Sequence, residues 1–293
     1  MVNLKYRPKR LFYLGLLAIT CFLIVGCTKT NKSINNTSHP QKDKYALILE
    51  KSKNIGKKQK TTIKNLKAVT YDPGPAINEY INRKDYNDML RMSSGLVQGV
   101  VTQWITLPNK TGTMVNTAEY PPFTVLKVYV HHSLANKSKP LENKYIYVYF
   151  TGGIKGDQKL AQQLEKSKWN DYNADLNQIS FMTKEELPIP YVGTEVVINP
   201  ARSPISDVPE AQKLVPSKYI YMLTWAERSL WLKDKNGQYQ MSNSNFIHKL
   251  NNSPQYKEEY ETRHEQYLPG EDPLLSKDQK ITKKINQLTN DVK

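Results

Sequence analysis

Few side chains in this 293-residue chain can do covalent chemistry or hold a metal: two cysteines, Cys21 and Cys27, and five histidines. The cysteines lie six residues apart at the end of an apolar run. His39 falls in a polar stretch, and His248 and His264 fall at or beyond the end of the strand-rich region. His131 and His132 are adjacent in a strand-like segment, and neighbours on a regular strand point to opposite faces, so they are not expected to share a metal. Gly152-Gly153 follows a strand pattern but lacks the spacing of a phosphate loop, so it reads as a corner. Glu185 and Glu186 could pair with Asp207 or Glu210, but no spacing identifies a catalytic dyad. The sequence therefore implies no metal and no cofactor. Its most ordered pattern is aromatic. In KYIYVYF, Ile146, Val148 and Phe150 alternate with Tyr145, Tyr147 and Tyr149, giving one aliphatic and one tyrosine face. Lys144 and Lys155 flank the tyrosines, and Trp104 and Tyr129 stand on other strand-like runs. Basic and aromatic residues mixed on a sheet suit a stacked ligand. Tyrosines are also good strand formers that cover a half-buried face.

The amino end carries Lys5, Arg7, Lys9 and Arg10, without an acid, directly before the apolar run Leu11 to Val25. That is the layout of an export signal. Fifteen residues of helix span about 22 Å, short of the roughly 30 Å hydrocarbon core. The run closes with Ile24, Val25, Gly26 and Cys27, which resembles the lipobox of bacterial lipoproteins. The resemblance implies that the Cys27 thiol takes a diacylglyceryl group, that cleavage occurs before it, and that residues 1–26 are a signal peptide. Cys21 would leave with the signal, so the mature chain would hold one alkylated cysteine. Disulfides, thiol catalysis and cysteine metal sites are then excluded. The implied location is the extracytoplasmic face of the cell membrane, through a fatty-acyl anchor such as palmitate. Composition, rich in Lys, Asn, Ile and Tyr, points to a low-GC Gram-positive bacterium.

The chain carries 42 Lys and Arg against 27 Asp and Glu, a formal charge of +15, and losing the four basic residues of the signal leaves about +11. Such a balance favours polyanions, or simply keeps the protein soluble beside a negative envelope. Thr28 to Lys44 contains one aliphatic residue, Ile34, and reads as a tether. The basic character continues from Lys51 to Lys67 with seven lysines. This run reads either as headgroup-attracting sequence or as a solvated linker. Residues 27–70 are thus expected to be anchor and tether, 71–245 a β-rich domain, and 246–293 a charged tail.

Within the expected domain, Pro73, Gly74 and Pro75 mark a turn, and residues 76–93 suit one or two short helices. Strand-like runs follow at 95–107, with Gly99 at a bend or bulge, and at 123–134, 144–153, 192–199 and 218–227. A last pair lies within 229–241, turning at Asn236-Gly237. Leu160, Leu164, Trp169 and Tyr172 suggest a helical excursion between the third and fourth strands. Ile281, Ile285, Leu288 and Val292 could line a terminal helix. The signatures VQGVVTQW, TVLKVYV, IYVYFTGG and VGTEVVI loosely resemble a small secreted β-barrel module of Gram-positive proteins, which has no assigned activity. The expected fold is mainly β, a small OB-like barrel or a sandwich with short flanking helices. The expected role is non-enzymatic binding or positioning of an anionic polymer or a protein partner near the membrane. Tyr145, Tyr147, Tyr149 and Lys144 are the candidate ligand-binding residues and Cys27 is the lipidation site. The rival reading is a lipid-anchored envelope hydrolase.

Overall fold

The computed structural model describes residues 43–70, 86–91, 93–108, 121–170, 176–184, 187–224, 229–256, 258 and 276–292. Cys21, Cys27 and the lipobox lie outside these residues, as do the Pro73 turn, Glu185, Glu186 and His264. The chain divides into Met1–Gln41 and Lys42–Lys293, and every described element belongs to the second unit.

The first element departs from the sequence reading. Lys44–Lys64 is one helix, α1, not tether. Its N-cap is Asp43, whose side chain accepts from the Tyr45 amide at 3.1 Å. Hydropathy misses it because its buried stripe, Ser52, Gly56, Gln59 and Ile63, holds a single aliphatic residue. What that stripe offers is closeness. A β-carbon on Gly56 would stand 1.8 Å from the Val192 carbonyl oxygen, and the Gln59 side-chain oxygen accepts from the Val192 amide at 2.8 Å. α1 leads into β1 (Lys67–Thr70), so residues 44–70 belong to the folded body.

The body is mainly β. After α2 (Tyr86–Arg91) come β2 (Val97–Thr106) and β3 (Phe123–Ser133). A 3-10 helix, Asn136–Leu141, precedes β4 (Tyr145–Thr151) and β5 (Gly153–Gly156). Then follow α3 (Gln158–Lys166), β6 (Ile179–Thr183), β7 (Glu195–Ile198) and β8 (Pro200–Pro204). The chain continues with α4 (Pro209–Gln212), β9 (Tyr219–Leu223), β10 (Leu230–Lys233), β11 (Tyr239–Met241) and α5 (Ser244–Asn252). Last is α6, Ser276–Asp291.

Eight strands form one sheet in the order β11-β10-β7-β2-β3-β4-β9-β8, and β1-β6-β5 form a smaller one. Only Asn199 separates β7 from β8, yet β7 pairs with β2 while β8 pairs with β9 at the far edge. One continuous strand can reach both places only if the large sheet curls back on itself. Gly152 and Gly153, at φ +113° and +122°, let the chain step from the large sheet into the small one. The Asn236-Gly237 turn joins β10 to β11.

The curled sheet holds the main core, in which Trp104, Leu126, Val128, Ile146, Val148, Phe150 and Ile198 pack with α3 residues Leu160 and Leu164. Trp104 donates to the Pro190 carbonyl at 2.8 Å. A second cluster joins Val197, Trp231, Tyr239 and Met241 to Ile281 and Ile285, so the terminal helix docks. A third gathers Ile105, Val125, Tyr147 and Ile220 under Val208, Ala211 and Val215.

Candidate functional site

The alternation expected in β4 is present, but its tyrosine face is not one exposed surface. Ile146, Val148 and Phe150 are buried in the main core. On the other face, Tyr147 is only 7% exposed, sealed in the third cluster by the segment around α4. Tyr149 is half-buried and stacks on Phe123 with centroids 5.1 Å apart. Only Tyr145, at 43%, presents a ring to solvent. Trp104 is fully buried inside the sheet, and Lys155 lies on β5 in the small sheet, so neither joins this face.

A row of side chains crosses the outer face of the large sheet at the level of Tyr145. Register places Tyr145 opposite Tyr129, Tyr129 opposite Val100, and Val100 opposite Glu195. Leu232 faces Val196, so the next residue, Lys233, reaches Glu195, and Lys233 in turn faces Tyr239. Tyr45 of α1 lies over the row. Its hydroxyl donates to Glu195 Oε2 at 3.2 Å, and its ring is 6.4 Å from that of Tyr129.

Glu195 is the electrostatic hub. Its carboxylate also accepts from Lys233 Nζ at 2.9 Å and from Lys53 Nζ at 3.4 Å. Burial works to raise its pKa, but the hydrogen bond and charge of Lys233, with those of Lys53, hold it below the usual carboxylate value. Burial, reinforced by the Glu195 charge, pushes the Tyr45 phenol far upward, so it stays a donor. Tyr239 likewise is raised, first by burial, and it accepts from Gln98 Nε2 at 3.0 Å.

At the Tyr145 end the surface is basic and aromatic. Lys127 Nζ sits 4.5 Å above the Tyr145 ring, and Tyr129 meets that ring edge-on at 5.2 Å. Lys44 Nζ is 5.4 Å from the Tyr129 ring, while the Tyr129 hydroxyl donates to Asn143 Oδ1 at 3.1 Å. Tyr129 itself is buried and serves as the floor. Lys44 is exposed at its margin, and Lys144, which precedes Tyr145 in the chain, is exposed, with no contact among the described residues that places it on this face.

The histidine pair is arranged differently from a regular strand. Gln98 faces His132 but Gly99 faces Val130, so His131 has no partner across the ladder. This bulge brings the two imidazole centroids within 3.7 Å, and His131 stacks on Tyr45 at 3.8 Å and 3°. Gly99 permits it, since a β-carbon there would lie 2.2 Å from the Tyr129 carbonyl oxygen. Burial first, then His132, lowers the His131 pKa. His132 Nδ1 lies 3.6 Å from Glu142, which is held below the usual carboxylate range: burial opposes this, but Lys139 outweighs it. Among the described residues no group of three His, Cys, Asp or Glu is placed to hold a metal ion, and no helix is long and apolar enough to cross a membrane.

Elsewhere, Glu165 of α3 accepts from the Thr106 amide at 3.0 Å and from its hydroxyl at 2.5 Å. Burial raises its pKa to about 7, against those hydrogen bonds.

The sequence reading missed Tyr45, Glu195 and Lys127. A signal for Lys127 existed: in TVLKVYVH it shares the odd-numbered face of Tyr129, opposite the core residues Leu126 and Val128. Tyr45 and Glu195 are 150 residues apart, and nothing local to either announces the other.

No protein-family model matches the chain, and neither curated proteins nor solved structures give a match.

Proposed function

We propose that this is an extracytoplasmic lipoprotein, anchored through Cys27, that uses an OB-like barrel to bind an anionic polymer of the cell envelope. The curled sheet supports the OB-like reading. With β7 and β8 taken as one bent strand, the cycle β2-β3-β4-β9-β8/β7 returns to β2. In chain order this is 1-2-3-5-4-1, with the third and fifth strands parallel, as β4 and β9 are. Barrels of this type bind oligonucleotides and oligosaccharides on the face of strands 2 and 3. Here those strands are β3 and β4, which carry Lys127 and Tyr145.

The observation that carries the reading is the Lys127 ammonium poised over a solvent-facing Tyr145 ring, with Lys44 over the adjoining Tyr129 ring. An aromatic plane accepts a sugar or base face, and the ammonium groups take phosphate oxygens, so a chain of phosphodiester-linked polyols or sugars fits both. Among the described residues, the carboxylates shifted by their surroundings are each engaged by partners of their own: Glu195 by Lys233 and Lys53, Glu165 by Thr106, and Glu142 by Lys139. These placements favour binding over the hydrolase alternative.

The test is a titration of residues 42–293 with fluorescently labelled glycerol-phosphate teichoic acid. Tyr145→Ala should weaken binding by about 1–3 kcal/mol with an unchanged circular dichroism spectrum. Unaltered affinity in Tyr145→Ala and Lys127→Gln, or turnover of the polymer, would contradict the proposal.

A further inference from the structure

The chain has a second basic surface, on α1, away from the helix side that packs against Val192. Helix 44–64 with the two residues before β1 and the first of β1 carries eight lysines and a single acid, Glu50. Its buried stripe is flanked on both sides. Lys44, Lys51 and Lys58 recur every seven residues along one flank, and Lys53, Lys57, Lys60 and Lys64 line the other. Some of these are committed: Lys53 bonds Glu195, Lys60 lies 5.4 Å from the Tyr191 ring, and Lys58 bonds Asn170.

Beside the first flank the end of α3 comes close. Lys168 and Trp169 both adopt left-handed backbone, φ 55° and 58°, which non-glycine residues avoid. The fold sustains this by setting the Trp169 ring edge-on to Trp104, with centroids 6.0 Å apart. The outcome is that Lys168 and Asn170 face α1 across a shallow open concavity of about 560 Å³, lined on the α1 side by Lys51, Lys58, Leu47, Ile55, Asn54 and the single acid Glu50. Leu47 is 49% exposed, the most exposed large apolar side chain among the described residues.

We infer that this groove and the outer face of α1 rest on an anionic phospholipid surface and orient the barrel on it. The inference relies on the Cys27 anchor of the proposed function. Fifteen residues separate Cys27 from Asp43, and at about 3.4 Å each they reach at most about 50 Å. An acylated Cys27 therefore holds the start of α1 within that distance of the bilayer. Three lysines against one acid, Glu50, around an exposed leucine leave a net positive rim, the arrangement by which an interfacial helix meets a negative surface: Lys51 and Lys168, with Lys58 where it exchanges its bond to Asn170, take headgroup phosphates and the apolar tip enters between them.

The experiment uses residues 42–293, which contain all three hydrophobic clusters and every described element. Co-sedimentation is measured with vesicles of phosphatidylglycerol and phosphatidylcholine in equal parts, and with phosphatidylcholine alone. The wild-type fragment should bind the anionic vesicles only. The triple variant Lys51→Gln, Lys58→Gln, Lys168→Gln should lose at least about tenfold in affinity. A control triple at exposed positions elsewhere, Lys213→Gln, Lys218→Gln, Lys235→Gln, removes the same charge and should bind like wild type. Equal losses in both triples, binding to the neutral vesicles, or no binding to the anionic ones overturns the inference. The teichoic acid titration separates this outcome from that of the proposed function. The groove triple should retain polymer binding, and Tyr145→Ala should retain vesicle binding. If the groove triple loses both ligands together, the groove is the polymer site and the lipid assignment fails.

Discussion

Two tyrosines two residues apart on β4 should respond oppositely to truncation. Tyr147 is 7% exposed and packs among Val125, Val208, Ala211, Val215 and Ile220. Removing its ring abolishes burial of an aromatic side chain and leaves a cavity that the β3-β4-β9 surface and the α4 segment, each tied by its own backbone hydrogen bonds, cannot fully close. Aromatic-to-alanine changes at such sites cost about 3–5 kcal/mol. Tyr145 is 43% exposed and keeps two contacts, the Lys127 ammonium and the edge of Tyr129. Together these amount to about 1 kcal/mol at an exposed site. Urea titrations of residues 42–293 should thus place Tyr147→Ala far below wild type and Tyr145→Ala close to it. For a domain of this size the first should lower the melting temperature by about 10 °C and the second by only a few degrees. Equal losses at the two positions, or a loss under about 1 kcal/mol at Tyr147, would refute the division of this face into a sealed half and an open half.

Glu165 should make stability depend on pH. Its folded pKa of about 7 stands above the ordinary 4.5 because burial disfavours its charge. The folded chain therefore holds a proton that the unfolded chain releases between these values. Its contribution to stability should be greatest below about pH 4.5, fall by at most about 3 kcal/mol as pH rises towards 7, and stay level above it, while Glu195 and Glu142, held below their ordinary values, act in the opposite sense at acid pH. Glu165→Gln should remove that slope in urea titrations across the range. Gly56→Ala should destabilise by about 1–3 kcal/mol although alanine is the better helix former, because the new β-carbon collides with the Val192 carbonyl; a gain in melting temperature would show that α1 does not dock so closely. In a Gram-positive host, Cys27→Ser should accumulate as an unprocessed precursor without lipid label, and normal maturation would refute the anchor.

The strands with strong periodicity were legible: β2, β3, β4, β7 and β9 each lie in runs of β-branched or aromatic residues, and the Gly99 bulge and the Asn236-Gly237 turn announced themselves by residue type. The small sheet was not, because β1, β5 and β6 are short, and β1 finds its partner β6 more than a hundred residues further along the chain. α1 was hidden by composition. Its contact face works through Gly56 and Gln59, a close approach and a hydrogen bond, which hydrophobic periodicity does not register. At the candidate site, Tyr145 could be read from alternation. The burial of Tyr147 could not, because Val208, Ala211 and Val215 cover it from a segment sixty residues away. The orientation of the histidine rings, though not the expectation that they share no metal, was misjudged for a physical reason: alternation holds only in a regular strand, and a single unpaired residue at 131 turns both rings towards each other.

The central claim is that an aromatic and basic face on β3 and β4 holds an anionic polymer. Its most direct test is the salt dependence of teichoic acid binding by residues 42–293, compared between wild type, Lys127→Gln and Tyr145→Ala. Binding should weaken linearly with the logarithm of salt concentration, as displaced counterions require. Lys127→Gln should lower that slope by about one phosphate contact, and Tyr145→Ala should weaken binding at every salt concentration without changing the slope. Identical affinities and slopes for all three proteins would contradict the account.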